Sequence, residues 1–366
     1  MAMYAERLQR TRGRMEELDV DLLLLSVGAD LPWLTGYRAM PLERLTMLVL
    51  PVDGDATLVV PRLEAPRVVE RPELFDLRAW EETDDPVALV AELAGAPRSV
   101  AVGDRTWARF VVELQARLPA SRWSAASVVT GPLRARKDSA EVAALRRASA
   151  AADRVAAQLQ AGEVPLVGRT EAQVSADLGR RLLAEGHAAV NFAIVAAGAN
   201  AASPHHDPGP RVIGAGEIVL CDFGGTMPDG YCSDITRCVH TGEPPAELRH
   251  LYRVLEDAQA AAVDAAVVGT PCEDVDGVAR RVITEGGYGD HFIHRTGHGI
   301  GLEEHEDPYL VGGNCEALAP GHAFSIEPGI YLAGRFGARI EDIVVATASG
   351  PEPLNVVPHG LAVVDV

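Results

Sequence analysis

Four carboxylates stand inside apolar, strand-like runs of the chain, and they restrict the possible folds more than any other feature of the sequence. They are Asp222 and Asp234 in "EIVLCDFGGTMPDGYCSDITRCVHTG", Glu327 in "HAFSIEPGIYL" and Glu341 in "ARIEDIVVAT". A single acidic residue in a strand is typical of an exposed face. Burying all four without cations, however, would cost many kcal/mol or force them to protonate. Divalent cations resolve this conflict, and oxygen ligands beside an imidazole favour manganese, cobalt or iron over zinc held by thiolates.

The stretch "HRTGHGIGLEEHEDP", residues 294–308, contains histidines that could complete such a site. It is not the helix of a zinc protease, because the second histidine of that motif would fall on Tyr309 and the glycines would weaken a helix. His298 lies between two glycines, which let backbone and metal approach closely. His305 follows on the same stretch, and His205 lies in "AAGANAASPHHDP", a loop suited to presenting a side chain. Beside four candidate ligands, we expect these histidines to be functional.

The composition is that of a globular protein and excludes several classes of partner. With 366 residues, the chain is long enough for two domains, or for one domain with a large appendage. Because the formal net charge is -19, we expect no nucleic acid partner and no membrane partner. The charged start "MAMYAERLQRTRGRMEEL" lacks the apolar core of a signal peptide, and five cysteines without a CxxC pair indicate free thiols. We therefore expect a cytoplasmic protein.

Hydrophobic periodicity predicts two domains. In the first, "MYAERLQRTRGRMEEL" predicts a helix, "DLLLLSV" and "SVAVGD" predict strands, "RLTMLVLPVDGDATLVVP" predicts a hairpin, and residues 107–118 predict a second helix. Gly131–Pro132 breaks the pattern, so we place the boundary between about residues 128 and 138. An alanine-rich helix begins near Ser139 with Glu141 in its first turn. The second domain alternates strand pairs with long helices, predicted at 139–161, 170–186, 245–267 and 273–286.

Four segments of the second domain resemble the signatures of a known enzyme family. They are "CDFGGTMPDGYCSDITR", "HRTGHGIGLEEHEDP", "FSIEPGIY" and "ARIEDIVV". In them the chain is similar to the pita-bread metallopeptidases, in the Xaa-Pro dipeptidase (prolidase) and aminopeptidase P branch. The resemblance extends more weakly to the first domain through "WLTGY", residues 33–37. It implies an α/β N-terminal domain of the creatinase type, residues 1–130, followed by an α+β pita-bread (creatinase/aminopeptidase-like) catalytic domain, residues 131–366.

The resemblance also implies two divalent metal ions, with Mn2+ or Co2+ expected, and a set of ligands in the family's order. Asp222 would bind one metal, and Asp234 and Glu341 would bridge both. His298 and Glu327 would bind the other metal. The two aspartates usually lie eleven residues apart in the family, whereas here they lie twelve apart. A shift inside a strand would turn Asp234 to the opposite face, but the turn "GTMPDG" can absorb the extra residue.

The remaining site residues follow from the same resemblance. His205 and His305 match family histidines that contact the substrate and the developing oxyanion, so we assign them to catalysis. His294 matches a further histidine near the site, and Arg339 matches an arginine beside the bridging glutamate; we assign both to substrate binding. Glu327 is the candidate that moves a proton to the leaving nitrogen. Cys232 could supply a thiolate ligand, although a small buried cysteine is the simpler interpretation.

These features predict a metallo-exopeptidase that hydrolyses the bond before proline in Xaa-Pro dipeptides. Three alternatives remain: an Xaa-Pro aminopeptidase that acts on longer peptides, a non-peptidase hydrolase of the creatinase type, and a binding protein on the same fold. A methionine aminopeptidase would share the ligands but would leave the N-terminal α/β domain unexplained. We further expect a homodimer, with Trp33 or Tyr37 near a site entrance.

Overall fold

The computed structural model describes residues 2–364, and the contacts within the chain divide it into two compact units, Met1–Arg134 and Ala135–Val366. The domain limits predicted from the sequence, 1–130 and 131–366, begin and end on residues outside the described range and stay predictions. Between residues 2 and 364, no helix combines the length and the apolar character that crossing a bilayer requires.

The first unit has a mixed sheet with helices packed on it. Its elements in chain order are α1 (Ala2–Glu17), β1 (Leu22–Leu25), α2 (Asp30–Thr35), β2 (Met47–Pro51), β3 (Thr57–Pro61), β4 (Asp76–Trp80), α3 (Pro86–Ala94), β5 (Ser99–Val102), α4 (Ala108–Arg117), β6 (Arg122–Ala125) and α5 (Ser127–Ala135). The strands are ordered β4-β3-β2-β1-β5-β6, and β2 runs antiparallel to its two neighbours while the other pairs are parallel. All four leucines of β1 are buried, as expected of a central strand covered on both faces.

Most of the elements predicted for this unit are confirmed. The two predicted helices are α1 and α4, the predicted strands are β1 and β5, and the predicted hairpin is the antiparallel pair β2–β3. The expected break at Gly131–Pro132 is wrong, because α5 continues through Pro132. Burial of Val129, Thr130 and Ala135 in this helix outweighs the one hydrogen bond that proline cannot donate. Trp33 and Tyr37 are buried, with exposures of 1% and 6%, and their expected place near a site entrance stays a prediction.

The second unit combines three sheets with four long helices. Its elements are α6 (Ser139–Gln160), α7 (Glu171–Ala184), β7 (Ala189–Ala197), β8 (Ile218–Thr226), β9 (Cys232–Thr241), α8 (Ala246–Ala265), α9 (Cys272–Glu285), β10 (Gly297–Gly299), β11 (Glu306–Leu310), β12 (Ala323–Ile326), β13 (Gly329–Leu332), β14 (Phe336–Arg339), β15 (Asp342–Thr347), β16 (Gly350–Pro353) and β17 (Ala362–Val364). The strand orders are β17-β9-β8-β7, β11-β10-β12-β15-β16 and β13-β14.

The helices cover these sheets with their apolar faces. Leucines and valines of α6 and α7 form one core with the four-stranded sheet, whereas α8 and α9 form a second core with β12, β13 and β15. All four helices coincide with those predicted from the sequence, to within two residues at each end. Helix α6 begins at a capping box, in which Asp138 accepts from the backbone N–H of Glu141 and Glu141 accepts in return from that of Asp138.

Candidate metal centre

The β8–β9 hairpin sets Asp222 and Asp234 on one face of the four-stranded sheet. Asp222 pairs with Thr236, and Gly224 pairs with Asp234, in antiparallel register. Directly opposed residues share a face, as do residues two apart on one strand, so all four side-chain positions point the same way. The turn between the strands therefore absorbs the twelve-residue spacing of the two aspartates. Both residues are buried, with exposures of 8% and 3%.

Glu327 and Glu341 lie at strand ends, which differs from their expected places inside strands. Glu327 follows β12 directly, because the next residue, Pro328, has no N–H with which to continue the ladder. Glu341 precedes β15 and forms an isolated antiparallel bridge with Thr236. This bridge brings Glu341 to the face that carries Asp234, and Thr236 Oγ1 donates to Glu341 Oε2 over 2.7 Å.

His298 reaches the same cavity from the short strand β10. A Cβ atom at Gly297 would lie 1.8 Å from the carbonyl oxygen of Ser325, and one at Gly299 would lie 2.2 Å from that of Asp307. Only glycines therefore allow the neighbouring strands to approach His298 this closely. The ring Nδ1 lies 3.1 Å from the carbonyl oxygen of Gly299, which makes Nδ1 the donor and leaves the lone pair on Nε2. A metal-binding histidine is commonly oriented in this way.

The candidate ligand atoms form overlapping groups. Within each group the atoms lie within 4.8 Å of one another, and the groups are Asp222 with Asp234 and Glu341, His298 with Glu327 and Glu341, and Asp234 with His298 and His305. His298 Nε2 lies 3.3 Å from Glu327 Oε1 and 3.8 Å from Asp234 Oδ2. The first two groups share Glu341.

The buried oxygens of these residues fit a cation. In the part of the chain that the structure describes, Asp222 Oδ1 and Asp234 Oδ1 are buried and make no hydrogen bond. Burial, reinforced by neighbouring carboxylates, raises the pKa of Asp234 and of Glu341 well above their ordinary values. Burial also raises the pKa of Glu327 to about 7 and lowers that of His298 to about 3. A divalent cation would stabilise the ionised carboxylates and the neutral imidazole, which is the donor set that the site presents.

Arg339 supports the carboxylates from beneath. Its guanidinium donates to Asp222 Oδ2 at 2.5 Å, to Thr236 Oγ1 at 3.0 Å and to the hydroxyl of Tyr331 at 2.8 Å. The Tyr331 hydroxyl in turn lies 2.9 Å from Nε2 of His294, whose Nδ1 lies 2.8 Å from the carbonyl oxygen of Arg295. Both nitrogens of His294 are thus engaged within the protein, and burial lowers its pKa to about 4. The assignment of Arg339 and His294 to substrate binding stays a prediction.

A cavity of about 490 Å³ opens above the carboxylates. Its lining brings together all the residues that the sequence suggested for the site: His205, Asp222, Asp234, His294, His298, His305, Glu327, Arg339 and Glu341. The ring of His305 lies over that of His298 with centroids 3.8 Å apart, and burial lowers the pKa of His305. Phe192, Ile194 and Pro204 form an apolar part of the lining, and Arg295 adds a cation. The volume lies in the range of cavities that bind small molecules.

Sequence reasoning missed several residues that hold the site together. Thr236 and Tyr331 each bond to Arg339, and Phe192 lies on the edge strand β7. A signal for Thr236 was present, because it stands two residues after Asp234 and therefore on the same face. Nothing in the local pattern marks Phe192, since its place in the lining depends on the pairing of β7 with β8.

Comparison with known proteins agrees with this architecture. The profile of metallopeptidase family M24 matches residues 143–348, and that of the creatinase/prolidase N-terminal domain matches residues 7–136. A probable dipeptidase PepE of Mycobacterium tuberculosis is 45% identical over 100% of this chain and 97% of its own length. An Xaa-Pro dipeptidase of Lactobacillus delbrueckii subsp. lactis is 35% identical over 98% of this chain and 99% of its own.

A solved structure has the same fold over the whole chain. The crystal structure of dipeptidase PepE from Mycobacterium ulcerans superposes with a TM-score of 0.94 and 46% identity, and the match covers 100% of this chain and 99% of that one. The resemblance inferred from the motifs and the predicted fold class are confirmed by these matches. The chain therefore belongs to metallopeptidase family M24, with a creatinase/prolidase N-terminal domain ahead of a pita-bread catalytic domain.

Proposed function

We propose that this chain is a metallo-exopeptidase that hydrolyses Xaa-Pro dipeptides with two divalent metal ions. The observation that carries the proposal is the group of buried carboxylates and one imidazole around a shared Glu341, within a cavity large enough for a dipeptide. The relatives named dipeptidase and Xaa-Pro dipeptidase, which match the whole chain, support the same conclusion.

In this proposal Asp222 would bind one ion, His298 and Glu327 would bind the other, and Asp234 and Glu341 would be shared by both. The overlapping ligand groups and the two unpartnered aspartate oxygens support this distribution. Manganese or cobalt suits the set, because it is dominated by hard oxygen donors and contains a single imidazole. Bound there, two such ions would polarise the substrate carbonyl and lower the pKa of a shared water.

The chain's own residues supply the remaining chemistry. His305 and His205 line the cavity and donate to the oxygen that becomes negative as the carbonyl is attacked. Glu327 carries its carboxylate in the lining of the cavity, where it can accept a proton from the attacking water and release it again. It delivers that proton to the proline nitrogen, which has no hydrogen of its own in the peptide and cannot leave as an anion. The apolar lining from Phe192 and Ile194 limits water beside the reacting bond.

Arg295 is the cation that we assign to the carboxylate of a dipeptide. Arg339 is occupied by Asp222, and Arg335 is exposed and paired with Glu247 over 2.5 Å. Arg295 instead lines the cavity and, among residues 2–364, forms no ion pair with a carboxylate. Its guanidinium lies 4.4 Å from the ring centroid of Tyr309, which holds it in place without neutralising it. A cation so placed favours a substrate that ends directly after proline.

The proposal is tested by the catalytic efficiency on Ala-Pro, Ala-Pro-Ala and amidated Ala-Pro, with added manganese or cobalt. We expect the free dipeptide to be cleaved several-fold better than either of the others. Arg295→Gln should raise KM for Ala-Pro about 10-fold or more, whereas the matched control Arg335→Gln should not. Equal or better cleavage of Ala-Pro-Ala would assign the chain to the aminopeptidase alternative instead. Absence of bound metal and of hydrolysis would favour the binding-protein alternative.

The homodimer and the cytoplasmic location also belong to this proposal. Among residues 2–364 no disulfide joins Cys221, Cys232, Cys238, Cys272 or Cys315, which suits a reducing compartment. A monomer by light scattering at micromolar concentration would remove the dimer from the proposal.

A further inference from the structure

His305 is an exposed side chain on a loop, and a role in catalysis requires that its direction be fixed. The loop runs from Gly301 to His305 between the strands β10 and β11. His305 itself is held by weak contacts: a tilted ring contact with His298 and a 3.4 Å approach of Arg295 to its Nδ1. The residue after it, Glu306, is the first residue of β11 and is much less accessible.

Glu306 is bound to a lysine from a distant part of the sequence. Lys137 Nζ lies 2.5 Å from Glu306 Oε1 and 3.4 Å from the carbonyl oxygen of Ala135. The two side chains are only 1% and 8% exposed, so the pair is shielded from water and from salt. Separating such a pair is costly, because each buried charge would lose a compensating charge.

Lys137 is itself anchored by its backbone. Its N–H donates to the carbonyl oxygen of Gly321 over 2.8 Å, and Arg136 bridges His322 just before β12. A Cβ at Gly321 would lie 2.6 Å from the Lys137 carbonyl oxygen, which indicates how closely the two segments approach. A Cβ at Gly301 would lie 2.5 Å from Glu306 Oε1, so glycine there leaves room for the pair.

We propose that the buried Lys137–Glu306 pair positions His305 for catalysis. Glu306 follows His305 directly in the chain and begins β11, so holding its side chain on Lys137 fixes the end of the loop that carries His305. That restriction keeps the imidazole of His305 in the lining of the cavity. Lys137 and Glu306 are positioning residues, because neither is needed at the substrate or at the metal ions. This inference rests on the catalytic role proposed above for His305.

The test is a mutational cycle that combines the pair with His305. Lys137→Met with Glu306→Leu replaces both charges by apolar groups of similar size, which avoids leaving a lone buried charge. We expect this double variant to keep its metal content and KM, to lose about 10-fold in kcat, and to exchange the amide hydrogens of residues 300–306 faster. In a His305→Ala background, the same pair of changes should reduce kcat no further.

The outcomes separate the two proposals. If His305→Ala alone retains full activity, the proposed role of His305 fails. If His305→Ala loses activity and the pair changes multiply that loss, Lys137 and Glu306 have a merely structural role and the inference is overturned. Arg169→Met is the matched control, because it removes a cation that lies 3.0 Å from Asp177 outside the cavity lining, and it should leave kcat unchanged. Should the double variant not fold, Glu306→Gln, which keeps the shape of the side chain, enters the same cycle.

Discussion

Asp234 is buried among other carboxyls, and its nearest charged neighbours include Glu341 and Asp222. Without a cation, burial holds its pKa well above the ordinary value, so the folded state disfavours the ionised form that the unfolded chain prefers at neutral pH. A group with a raised folded-state pKa destabilises the fold above its unfolded-state pKa. The same carboxylate becomes favourable once an ion binds, which couples metal affinity to stability at this residue.

Asp234→Asn should therefore act in opposite directions on the two forms of the protein. We expect the unfolding free energy of the metal-free variant to exceed that of metal-free wild type by about 1 kcal/mol or more, because a buried acid is replaced by a neutral amide. The variant should therefore unfold at a higher temperature. We also expect the stabilisation that metal gives to wild type to be lost, together with activity. Differential scanning calorimetry with and without manganese measures both effects. Asp257→Asn, an exposed change in α8, is the control and should alter neither.

His305→Ala separates a catalytic histidine from a ligand. His305 falls within ligand distance of Asp234 and His298, so geometry alone permits either role. We expect the variant to keep its full metal content and to lose roughly 10²–10³-fold in kcat, the usual effect of removing a donor to an oxyanion. Elemental analysis and kinetics on one preparation give both numbers. A fall in metal content that accompanies the loss of rate would identify His305 as a ligand instead.

The secondary-structure elements position these residues, and they also carry groups that respond to pH. His322 lies at the start of the turn into β12, and its Nδ1 accepts from the backbone N–H of Ala319. Burial, with the nearby charges of Arg136 and Lys137, lowers the pKa of His322 from 6.5 to about 4. Below pH 6.5 His322 is protonated in the unfolded chain, whereas in the folded chain it stays neutral until about pH 4. Stability must therefore fall as the pH falls through this range.

His322→Asn removes this proton-binding group while keeping an acceptor for the Ala319 N–H. Between pH 7 and pH 4, we expect metal-free wild type to lose up to about 3 kcal/mol more unfolding free energy than the variant. Urea unfolding at several pH values, on metal-free protein so that ligand protonation does not release metal, measures the difference. Parallel pH profiles for the two proteins would show that His322 is not held neutral in the fold.

How far the sequence predicts these elements depends on the range of the interactions that form them. The long helices α6 to α9 were predicted closely, because their apolar stripes and the Asp138 cap are local signals. Asp222 and Asp234 lie on the same face of the sheet because of the register of a single hairpin, β8–β9. Strand ends at Glu327 and Glu341 were not predicted, since the bridge from Glu341 to Thr236 joins residues far apart in the chain. The course of α5 through Pro132 likewise reflects burial rather than propensity.

At the scale of the whole molecule, the candidate ligands come from separate parts of the second unit. Asp222 and Asp234 belong to the four-stranded sheet, whereas His298 and Glu327 belong to the five-stranded sheet and its end. Ions held between them would bind the folded unit and not the unfolded chain. At a hundred times the dissociation constant, one such site contributes about 2.7 kcal/mol. Metal binding, activity and cooperative folding should therefore depend on one another.

The most direct test of this account is reconstitution of the metal-free enzyme. Protein stripped by a chelator should not hydrolyse Ala-Pro, and activity should return on adding manganese or cobalt and reach its plateau near two ions per chain. The added ions would supply partners for the buried Oδ1 atoms of Asp222 and Asp234, which form no hydrogen bond within the described chain. Full hydrolysis of Ala-Pro by protein that elemental analysis finds free of metal would contradict the central claim.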